Sequence, residues 1–210
     1  MSAESGNLKY GGIIIQMKDK VTIREAQETE SALIQELVKE MASYERRPED
    51  MTGTQEQLHY WLFERKIATI LLIEYEGKTI GYAIYYPIFG SFAARANIHL
   101  EDLYIREQYR GLGLGRYFFE AVAKRAKEEG YAKMEWSCLD WNTPSIGFYE
   151  RLGAEYETGR KYFEMSLSEA EMIRFNNDYN HGALESVLKE LLATNTESYA
   201  GYGEDEWCAK

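Results

Sequence analysis

The sequence predicts an α/β fold, and three observations support this assignment. Segments with strand-like and helical patterns alternate from Val21 onward: a short strand, two helices, a hairpin, a strand, a helix, a strand, a helix and a strand. A turn with glycine at positions 111, 113 and 115 joins one of the strands to an amphipathic helix. The 210 residues are 45% hydrophobic, which is enough apolar material for a packed core of ordinary size.

Two amphipathic helices are expected before the hairpin. In the first, apolar residues recur at helical spacing: Leu33, Ile34, Leu37, Val38 and Met41. The second begins at Thr54, because Thr54 and Gln57 form a capping-box pattern in which each side chain bonds the other residue's backbone. Both helices can therefore bury one apolar face.

An antiparallel hairpin and a third strand follow. Residues 68–75 and 79–89 are rich in Ile and Tyr, and they flank the short segment Glu76-Gly77-Lys78. A further strand is predicted from about Asn97 to Ile105. It ends shortly before the glycine turn, so this turn connects a strand to the helix that comes next.

After the glycine turn the chain alternates between helix and strand. The next helix has apolar residues at helical spacing: Phe118, Phe119, Val122 and Ala126. Gly130 is placed to end this helix in a left-handed cap. Residues 132–139 return to a strand pattern, in which Cys138 is predicted to be a buried core residue.

One more helix and one more strand complete the pattern. The helix is predicted to begin with Thr143 as its cap and Pro144 in its first turn, and Gly153 closes it. Residues 156–165 offer a final strand. After about Met172 the character of the sequence changes, so we place the end of the α/β unit there.

The composition argues against several classes of function. With 24 basic and 35 acidic residues the net charge is −11, which disfavours nucleic acids and acidic membrane surfaces as partners. Apolar runs such as residues 67–73 are much shorter than the roughly 18 residues that a membrane span needs. Two cysteines, Cys138 and Cys208, form neither a disulfide framework nor a metal-ligand cluster. We therefore expect a cytoplasmic protein with no metal, no nucleic-acid partner and no membrane partner.

The glycine turn, residues 110–116, is a candidate anion site. Glycines at alternate positions let consecutive backbone N–H groups turn inward, and the following helix adds the partial positive charge of its N-terminus. The two familiar nucleotide loops do not match: the third glycine comes one residue too early for G-x-G-x-x-G, and the Lys-Ser/Thr ending of the P-loop is missing. A pyrophosphate fits such a turn, and a flexible turn without a ligand is the alternative.

Four separate segments occur in one order: residues 23–26 (Ile-Arg-Glu-Ala), 100–105 (Leu-Glu-Asp-Leu-Tyr-Ile), the glycine turn, and 141–154 (Trp-Asn-Thr-Pro-Ser-Ile-Gly-Phe-Tyr-Glu-Arg-Leu-Gly-Ala). Together they resemble the GNAT family of acetyl-CoA-dependent N-acetyltransferases, and most of all its spermidine/spermine and thialysine acetyltransferase branch. The resemblance covers residues 17–172. It implies the GNAT acetyltransferase fold, a mixed, mostly antiparallel central sheet flanked by helices, followed by a C-terminal helical or extended tail.

The resemblance implies that acetyl-CoA binds, and it assigns the contacts residue by residue. Backbone groups of Leu103, Tyr104 and Ile105 pair with the pantetheine arm, and in the family this strand splays from its neighbour to make room. The pyrophosphate is held by the glycine turn: Arg110, Gly111, Leu112, Gly113, Leu114, Gly115 and Arg116. The remaining contacts come from the last helix and its start: Asn142, Ser145 and Tyr149. Helix capping without ligand contact is the alternative role of the serine.

Two residues match the catalytic positions of the family. Tyr149 corresponds to the tyrosine that protonates the departing CoA thiolate, and a phenol with a pKa of about 10 is a sensible donor to a thiolate. Glu101 corresponds to the proposed general base, which takes a proton from the amine through water. Aromatic packing and a solvated carboxylate are the respective structural alternatives.

Three acidic residues are candidates for the amine site: Glu45, Glu101 and Asp102. The pair Tyr44-Glu45, at the end of the first helix, matches a family position that faces the substrate, and Glu45 can pair with a cationic amine. Asp102 points away from Glu101 in a regular strand, so both serve one pocket only if the strand is bulged. Residues 91–97 depart from the acidic and aromatic loop of the polyamine branch. A polyamine, a thialysine-like amine and an amino-acid-like amine all stay open as acceptors.

The expected function is transfer of the acetyl group of acetyl-CoA to a primary amine of a small molecule by direct attack, without a covalent acetyl-enzyme. A homodimer is expected from the family. Two alternatives stay open at this point: a non-catalytic acyl-CoA-binding module, and an acetyltransferase that acts on a protein amine.

Both ends of the chain look foreign to this unit. Residues 1–16 are expected to be an extension, because Met17 is a second possible start of translation. Residues 173–210 resemble the start of threonine aldolases and related β-eliminating lyases, in which a Phe-x-Asn-Asp-Tyr segment precedes a helix and a Tyr-Gly-Asp/Glu-Asp loop. The segment lacks the later cofactor-binding lysine region, so no pyridoxal phosphate is expected. A family-specific helical extension is the alternative.

Overall fold

The computed structural model describes residues 19–159 and residue 161. The chain divides into two compact units, residues 1–155 and 156–210. The first unit contains the described elements in this order: β1 (Val21–Glu25), α1 (Ser31–Tyr44), α2 (Gln55–His59), β2 (Thr69–Tyr75), β3 (Lys78–Gly90), β4 (Arg95–Ile105), α3 (Leu114–Glu128), β5 (Met134–Glu135) and α4 (Thr143–Arg151). A turn of π-helix, Tyr60–Glu64, continues α2.

The described strands form one sheet in the order β1-β2-β3-β4-β5. The first four strands pair antiparallel, whereas β5 pairs with β4 in parallel. Glu76 and Gly77 join β2 to β3 with φ angles of 51° and 76°, as a tight hairpin turn requires. The predicted hairpin and the mixed, mostly antiparallel sheet are confirmed.

Helices cover both faces of this sheet. Successive side chains of a strand point to opposite faces. Leu72 of β2 packs in one core cluster with Ile34 and Leu37 of α1, whereas Leu71 packs in a second cluster with Phe118 and Val122 of α3. All six side chains are almost completely buried. The apolar faces that the sequence predicts for α1 and α3 are therefore the faces that cover the sheet.

Two kinds of helix boundary follow the sequence pattern. Thr54 caps α2 by accepting the Gln57 N–H, while the Gln57 side chain accepts the Thr54 N–H, so the predicted capping box is present. Gly130 and Gly153, just beyond α3 and α4, have φ angles of 90° and 85°. Both are in the left-handed region that ends helices at glycine.

Two predicted elements are different in the structure. The cap of α4 is Asn142 rather than Thr143, because the Asn142 side-chain oxygen accepts the N–H of Ser145. β5 has two residues instead of the predicted strand over 132–139. It is short because the chain pairs with β4 over two residues and then leaves the sheet.

The structure covers the predictions at the ends of the chain only in part. Residues 156–159 contain no strand, and the remainder of the strand predicted to residue 165 lies almost wholly outside the described residues. The predicted extension, residues 1–16, and the alternative start at Met17 lie outside them as well. The same is true of the tail, residues 173–210.

Candidate active site

A cavity of about 740 Å³ lies where β4 and β5 separate. The two strands pair only at Ile98 and His99 of β4. Beyond these pairs, residues 100–105 of β4 and residues 136–139 after β5 both line the cavity. The end of α1, the glycine turn and α4 complete the wall. The strand therefore splays from its neighbour, as the resemblance implied.

A β-bulge brings Glu101 and Asp102 into the same wall. Ile84 of β3 faces Asp102, but the next residue of β3, Tyr85, faces Leu100. Glu101 is therefore the extra residue of the bulge. The two acids would point to opposite faces of a regular strand, and the bulge allows both to line the cavity.

The third acidic residue, Glu45, immediately follows α1 and lines the same cavity. Burial raises the pKa of Asp102 to about 6; a hydrogen bond from Tyr82 opposes this, and Glu101 and Glu45 add to it. Burial likewise raises the pKa of Glu45, with opposition from Arg47 and a further contribution from Glu101. The negative charge of Glu101 thus disfavours the charged forms of Glu45 and Asp102, and a cationic amine beside these groups would relieve the repulsion.

Glu101 lies at the boundary between the cavity and solvent. Its side chain is 53% exposed, and its Oε2 accepts a hydrogen bond of 3.1 Å from the Tyr86 hydroxyl. His99 stacks on the Tyr86 ring with centroids 5.2 Å apart, and its Nε2 lies 3.7 Å from the same Oε2. The carboxylate is thus held in place and open to solvent, which suits a proton acceptor that works through water.

The glycine turn follows the other end of the splayed part of β4. Gly111 and Gly113 have φ angles of 74° and 82°, which residues with a Cβ rarely adopt, and Gly113 caps α3. Gly115 also lines the cavity. Leu112 is 40% exposed and Leu114 is buried in the core, and neither side chain lines this cavity.

The two arginines of the turn have different environments. Arg110 donates a hydrogen bond of 2.7 Å from Nε to the carbonyl oxygen of Ile105, and its guanidinium lies over the Tyr44 ring, 4.3 Å from the centroid. Arg116 donates from Nε to Glu120, one helical turn further on, and stays largely exposed. Arg110 is therefore fixed within the wall, whereas Arg116 is a surface cation at its edge.

The start of α4 contributes two predicted contact residues. Asn142 is 3% exposed and lines the cavity beside Ser145. Its Oδ1 accepts the Ser145 N–H and also a hydrogen bond of 2.9 Å from the Tyr44 hydroxyl. Ser145 thus belongs to the cap through its backbone, while the lining position of its side chain is compatible with the predicted cofactor contact.

Tyr149, the predicted proton donor, lines the cavity from the body of α4. Its ring packs against Trp136, with centroids 5.0 Å apart, and against Phe119 and Phe148. Burial raises the pKa of Tyr149 well above its usual range, and Cys138 adds to the shift. The phenol is therefore protonated at neutral pH. Tyr149 thus combines the aromatic packing considered as an alternative with a half-buried position in the wall of the cavity.

The prediction that Cys138 is a buried residue of a strand is wrong. Cys138 is half-buried in the segment after β5, where the chain has left the sheet, and it lines the cavity. Burial raises the pKa of its thiol, and Glu45 and Asp140 add to this shift. A thiol that stays protonated is a poor nucleophile.

Two tyrosines make contacts that the sequence analysis missed. Tyr82 of β3 is fully buried, and its hydroxyl donates a hydrogen bond of 2.9 Å to Oδ2 of Asp102. Tyr44 contacts both Arg110 and Asn142. The alternation of β3 marks Tyr82 as a core residue, but its partner depends on the register between strands. No local signal identifies the partners of Tyr44.

The part of the chain that the structure describes contains no group of three or more His, Cys, Asp or Glu side chains that could hold a metal ion. None of its helices is both long and apolar enough to cross a bilayer. The site therefore consists of a cleft between splayed strands, with acidic side chains at the bulge of β4 and after α1 and a glycine turn beyond the C-terminal end of β4.

This combination of fold and cleft defines a class, and the chain belongs to the GNAT acetyltransferase family. The family model, described as "Acetyltransferase (GNAT) family", matches residues 32–154. The protein is accordingly an acyltransferase of the GNAT type, from a family that uses acetyl-CoA as cosubstrate. The predicted GNAT fold is confirmed.

Particular relatives narrow the comparison. A thialysine N-epsilon-acetyltransferase from Sus scrofa is 31% identical over 163 residues, 73% of this chain and 95% of that protein. An L-ornithine N5-acetyltransferase from Arabidopsis thaliana is 40% identical over 75 residues, 36% of this chain and 33% of that protein. A solved aminoglycoside acetyltransferase from an uncultured soil metagenomic sample shares the fold, with a TM-score of 0.62 and 14% identity over 71% of this chain and 99% of its own.

These comparisons give no support to the predicted resemblance between the tail and threonine aldolases. The match to the family model ends at residue 154, before the tail begins at residue 173. The relatives described above are acetyltransferases. The segment's short sequence similarity to a lyase start therefore carries no functional conclusion.

Proposed function

We propose that this protein transfers the acetyl group of acetyl-CoA to a primary amine of a small molecule by direct attack. The observation that carries the proposal is the placement of Glu45, Glu101 and Asp102 in the wall of the cavity that the glycine turn also lines. A wall that carries three carboxyl groups suits a cationic acceptor. A turn of glycines at a helix N-terminus suits the pyrophosphate of the cosubstrate.

The residues present fit acetyl-CoA, which supplies an activated acetyl thioester when it binds. Residues 103–105 have lost their pairing with β5, so backbone groups of β4 face the cleft and can bond an extended arm as an added strand would. Gly111 and Gly113 have positive φ angles, and because glycine has no Cβ, no side chain of these two residues can block an anion from the backbone of the turn. Asn142 and Ser145 lie on the opposite side of the cleft.

Glu101 is proposed to accept the proton of the amine through water. Removing the proton from an alkylamine with a pKa near 10.4 costs about 4 to 5 kcal/mol at pH 7, so a positioned acceptor is needed. The hydrogen bond from Tyr86 fixes this carboxylate, and its exposure gives water access to it. Glu45 and Asp102 are proposed to pair with the cationic substrate before this proton is lost.

Tyr149 is proposed to donate its phenolic proton to the departing thiolate. The residue lines the cleft on the α4 side, and its raised pKa keeps the proton in place until a strong base forms beside it. Cys138, the neighbouring thiol, is proposed to have no nucleophilic role because its pKa is raised as well. Attack on the thioester is therefore direct.

The acceptor is proposed to be a small primary alkylamine. The relatives include a thialysine acetyltransferase and an ornithine acetyltransferase, named for substrates that carry a primary amine at the end of an alkyl chain. Glu45 offers a partly buried carboxyl group for such a cation. Because residues 91–97 lack the acidic side chains of the polyamine branch, amino-acid-like and thialysine-like amines are favoured over polyamines.

We further propose a homodimer in the cytoplasm, without nucleic-acid or membrane partners. The dimer follows from the family resemblance alone. The net charge of −11 supports the second part, because a strongly acidic protein is repelled by polyphosphates and by acidic lipid surfaces. Light scattering coupled to gel filtration tests the dimer; a mass near the 24.4 kDa of one chain would reject it.

A panel of amines tests the proposed reaction. Acetyl-CoA at a fixed concentration is mixed with ornithine, lysine, thialysine, spermidine or a lysine-containing peptide, and the released CoA thiol is measured. We expect release with the amino-acid-like amines and weaker release with spermidine. Release with the peptide alone would instead indicate a protein acetyltransferase. Binding of acetyl-CoA without release by any amine would indicate an acyl-CoA-binding module.

A further inference from the structure

Tyr44 lies where three parts of the cleft meet. It is the last residue of α1 and directly precedes Glu45, the carboxyl group proposed for the amine. Its side chain contacts both the glycine turn, which follows β4, and the start of α4, which follows β5. Phe119 of α3, the helix that follows the turn, also contacts α4, through Phe148 and Tyr149.

The need for such a connection follows from the splay. Inter-strand hydrogen bonds normally fix the spacing of neighbouring strands and of the elements that follow them. β4 and β5 make these bonds only at Ile98 and His99, so the sheet does not set the distance between the glycine turn and α4. Side-chain contacts between the elements supply that constraint instead, and two of them come from Tyr44.

The hydroxyl group of Tyr44 is directed to α4. It donates a hydrogen bond of 2.9 Å to Oδ1 of Asn142, which is buried and also caps α4 through the N–H of Ser145. The same helix carries Tyr149 about two turns further on. The hydroxyl therefore helps to fix the orientation of the helix that presents the proton donor.

The ring of Tyr44 is directed to the glycine turn. The guanidinium of Arg110 lies 4.3 Å from the Tyr44 ring centroid and 5.4 Å from that of Tyr104, while its Nε is bonded to the carbonyl oxygen of Ile105. Stacking on two aromatic faces restricts the guanidinium to one position at the start of the turn.

We propose that Tyr44 is a positioning residue with two separable functions: its hydroxyl holds α4 for turnover, and its ring holds Arg110 for binding of the CoA moiety. This inference rests on the proposed acetyl transfer and assigns Tyr44 a role within it. Because Glu45 is the next residue, the same side chain also ties the amine-binding carboxyl group to the cofactor-binding segments. Tyr44 therefore adjoins both proposed binding sites.

Two substitutions separate the two functions. Tyr44→Phe removes the hydroxyl and keeps the ring, so kcat should fall about fivefold to tenfold, the usual worth of one hydrogen bond, while the Kd for CoA stays within about twofold. Tyr44→Leu removes both, so the Kd for CoA should also rise about fivefold. Calorimetric titration with CoA gives the Kd, and thiol release with the best amine of the panel gives kcat.

Tyr75→Phe is the matched control, because Tyr75 lies at the end of β2 and does not line the cavity. It should change neither quantity. A double-mutant cycle then tests the route of the effect. If the hydroxyl acts through Asn142, adding Tyr44→Phe to Asn142→Ala should lower kcat by less than twofold further.

Three results would overturn the inference: an unchanged kcat in Tyr44→Phe, an equal rise in the Kd for CoA in both Tyr44 variants, or full additivity in the cycle. The Tyr44→Phe arm and the cycle keep the test decisive if Tyr44→Leu does not fold. Failure of the proposed function is a separate observation, since it would appear as absent turnover in the unmodified protein. The comparison of Kd values for CoA remains valid in that case.

Discussion

The glycine-turn end of the cleft and its acidic end are built from different parts of the chain. The first consists mainly of backbone: glycines with positive φ at the start of α3 and a strand that has lost its neighbour. The second consists of carboxyl groups from α1 and from a bulge in β4. On the proposed function, the backbone surface binds groups common to all acyl-CoA molecules, whereas the side-chain surface can differ between acceptors. The proposal therefore predicts that cosubstrate binding and acceptor choice can change separately.

The largest expected effect is a loss of turnover when Tyr149, the proposed proton donor, is replaced. Tyr149→Phe removes the proposed proton donor but keeps the ring that packs on Trp136. We expect turnover to fall about 10²- to 10⁴-fold, the usual contribution of general acid catalysis, with the Kd for CoA within twofold of the unmodified protein. Stopped-flow or steady-state thiol release measures the first quantity and calorimetry the second. Unchanged turnover would reject the acid role.

A smaller loss is expected at the acidic end. Glu101→Gln removes the proposed proton acceptor, so activity at pH 7 should fall about 10²-fold and should recover as pH rises, because the amine then loses its proton in solution. The measurement is the pH profile of kcat/KM between pH 6 and 10. Glu128→Gln, on the surface of α3, is the control and should leave the profile unchanged. An unaltered profile in Glu101→Gln would assign the proton to another acceptor.

The backbone end should respond in binding instead of turnover. Gly113 has a φ of 82°, and an L residue in that region costs about 1 to 2 kcal/mol. Gly113→Ala should therefore raise the Kd for CoA about tenfold while kcat at saturating acetyl-CoA changes less than twofold. Gly53→Ala is the matched control, because Gly53 has free space around it and no positive φ. A loss of kcat as large as the loss of affinity would show that the two ends are not separable.

The smallest effect concerns the electrostatics of the acidic end. The Tyr82 hydrogen bond stabilises the charged form of Asp102 and so opposes the rise of its pKa to about 6. Tyr82→Phe removes this bond, so the pKa of Asp102 should rise further. The carboxylate proposed to pair with the amine then forms only at higher pH, so the acidic limb of the kcat/KM profile, which we assign to Asp102, should move to higher pH.

Tyr85→Phe is the control for that experiment. Tyr85 is a buried tyrosine of β3 opposite the bulge in β4, and its hydroxyl bonds Glu129 on the other face of the sheet. The acidic limb should stay in place in this variant. A limb that moved equally in both variants, or downward in Tyr82→Phe, would contradict the assignment of the limb to Asp102.

Much of the fold was predictable because its signals are local. The period of the apolar residues in α1 and α3, the Thr54 and Gln57 capping box and the turn at Glu76 and Gly77 each depend on a few neighbouring residues. The prediction was wrong where pairing between distant segments decides. β5 is short because it leaves β4 after two pairs, and this departure also moves Cys138 from a predicted strand into the wall of the cleft.

The site divides in the same way. The glycine turn is contiguous in sequence, so its spacing and context already predicted an anion site next to a helix start. For the acidic end, the sequence predicted three candidate residues, but Asp102 could join Glu101 in one pocket only if the strand contained a bulge. The bulge that meets this condition arises from the register between β3 and β4, which the residues of β4 alone do not specify.

The sequence by itself determined the order of the elements, the glycine turn, the placement of Tyr149 on the last helix and the resemblance to the acetyltransferases, because each is a property of consecutive residues. The tertiary structure decided which side chains meet: Tyr82 with Asp102, Tyr44 with Arg110 and Asn142, and three carboxyl groups in one wall. These contacts join residues that are far apart along the chain. Their geometry depends on strand register, on the splay of β4 from β5 and on the packing of α1 against the sheet. A pattern of neighbouring residues predicts none of these three features.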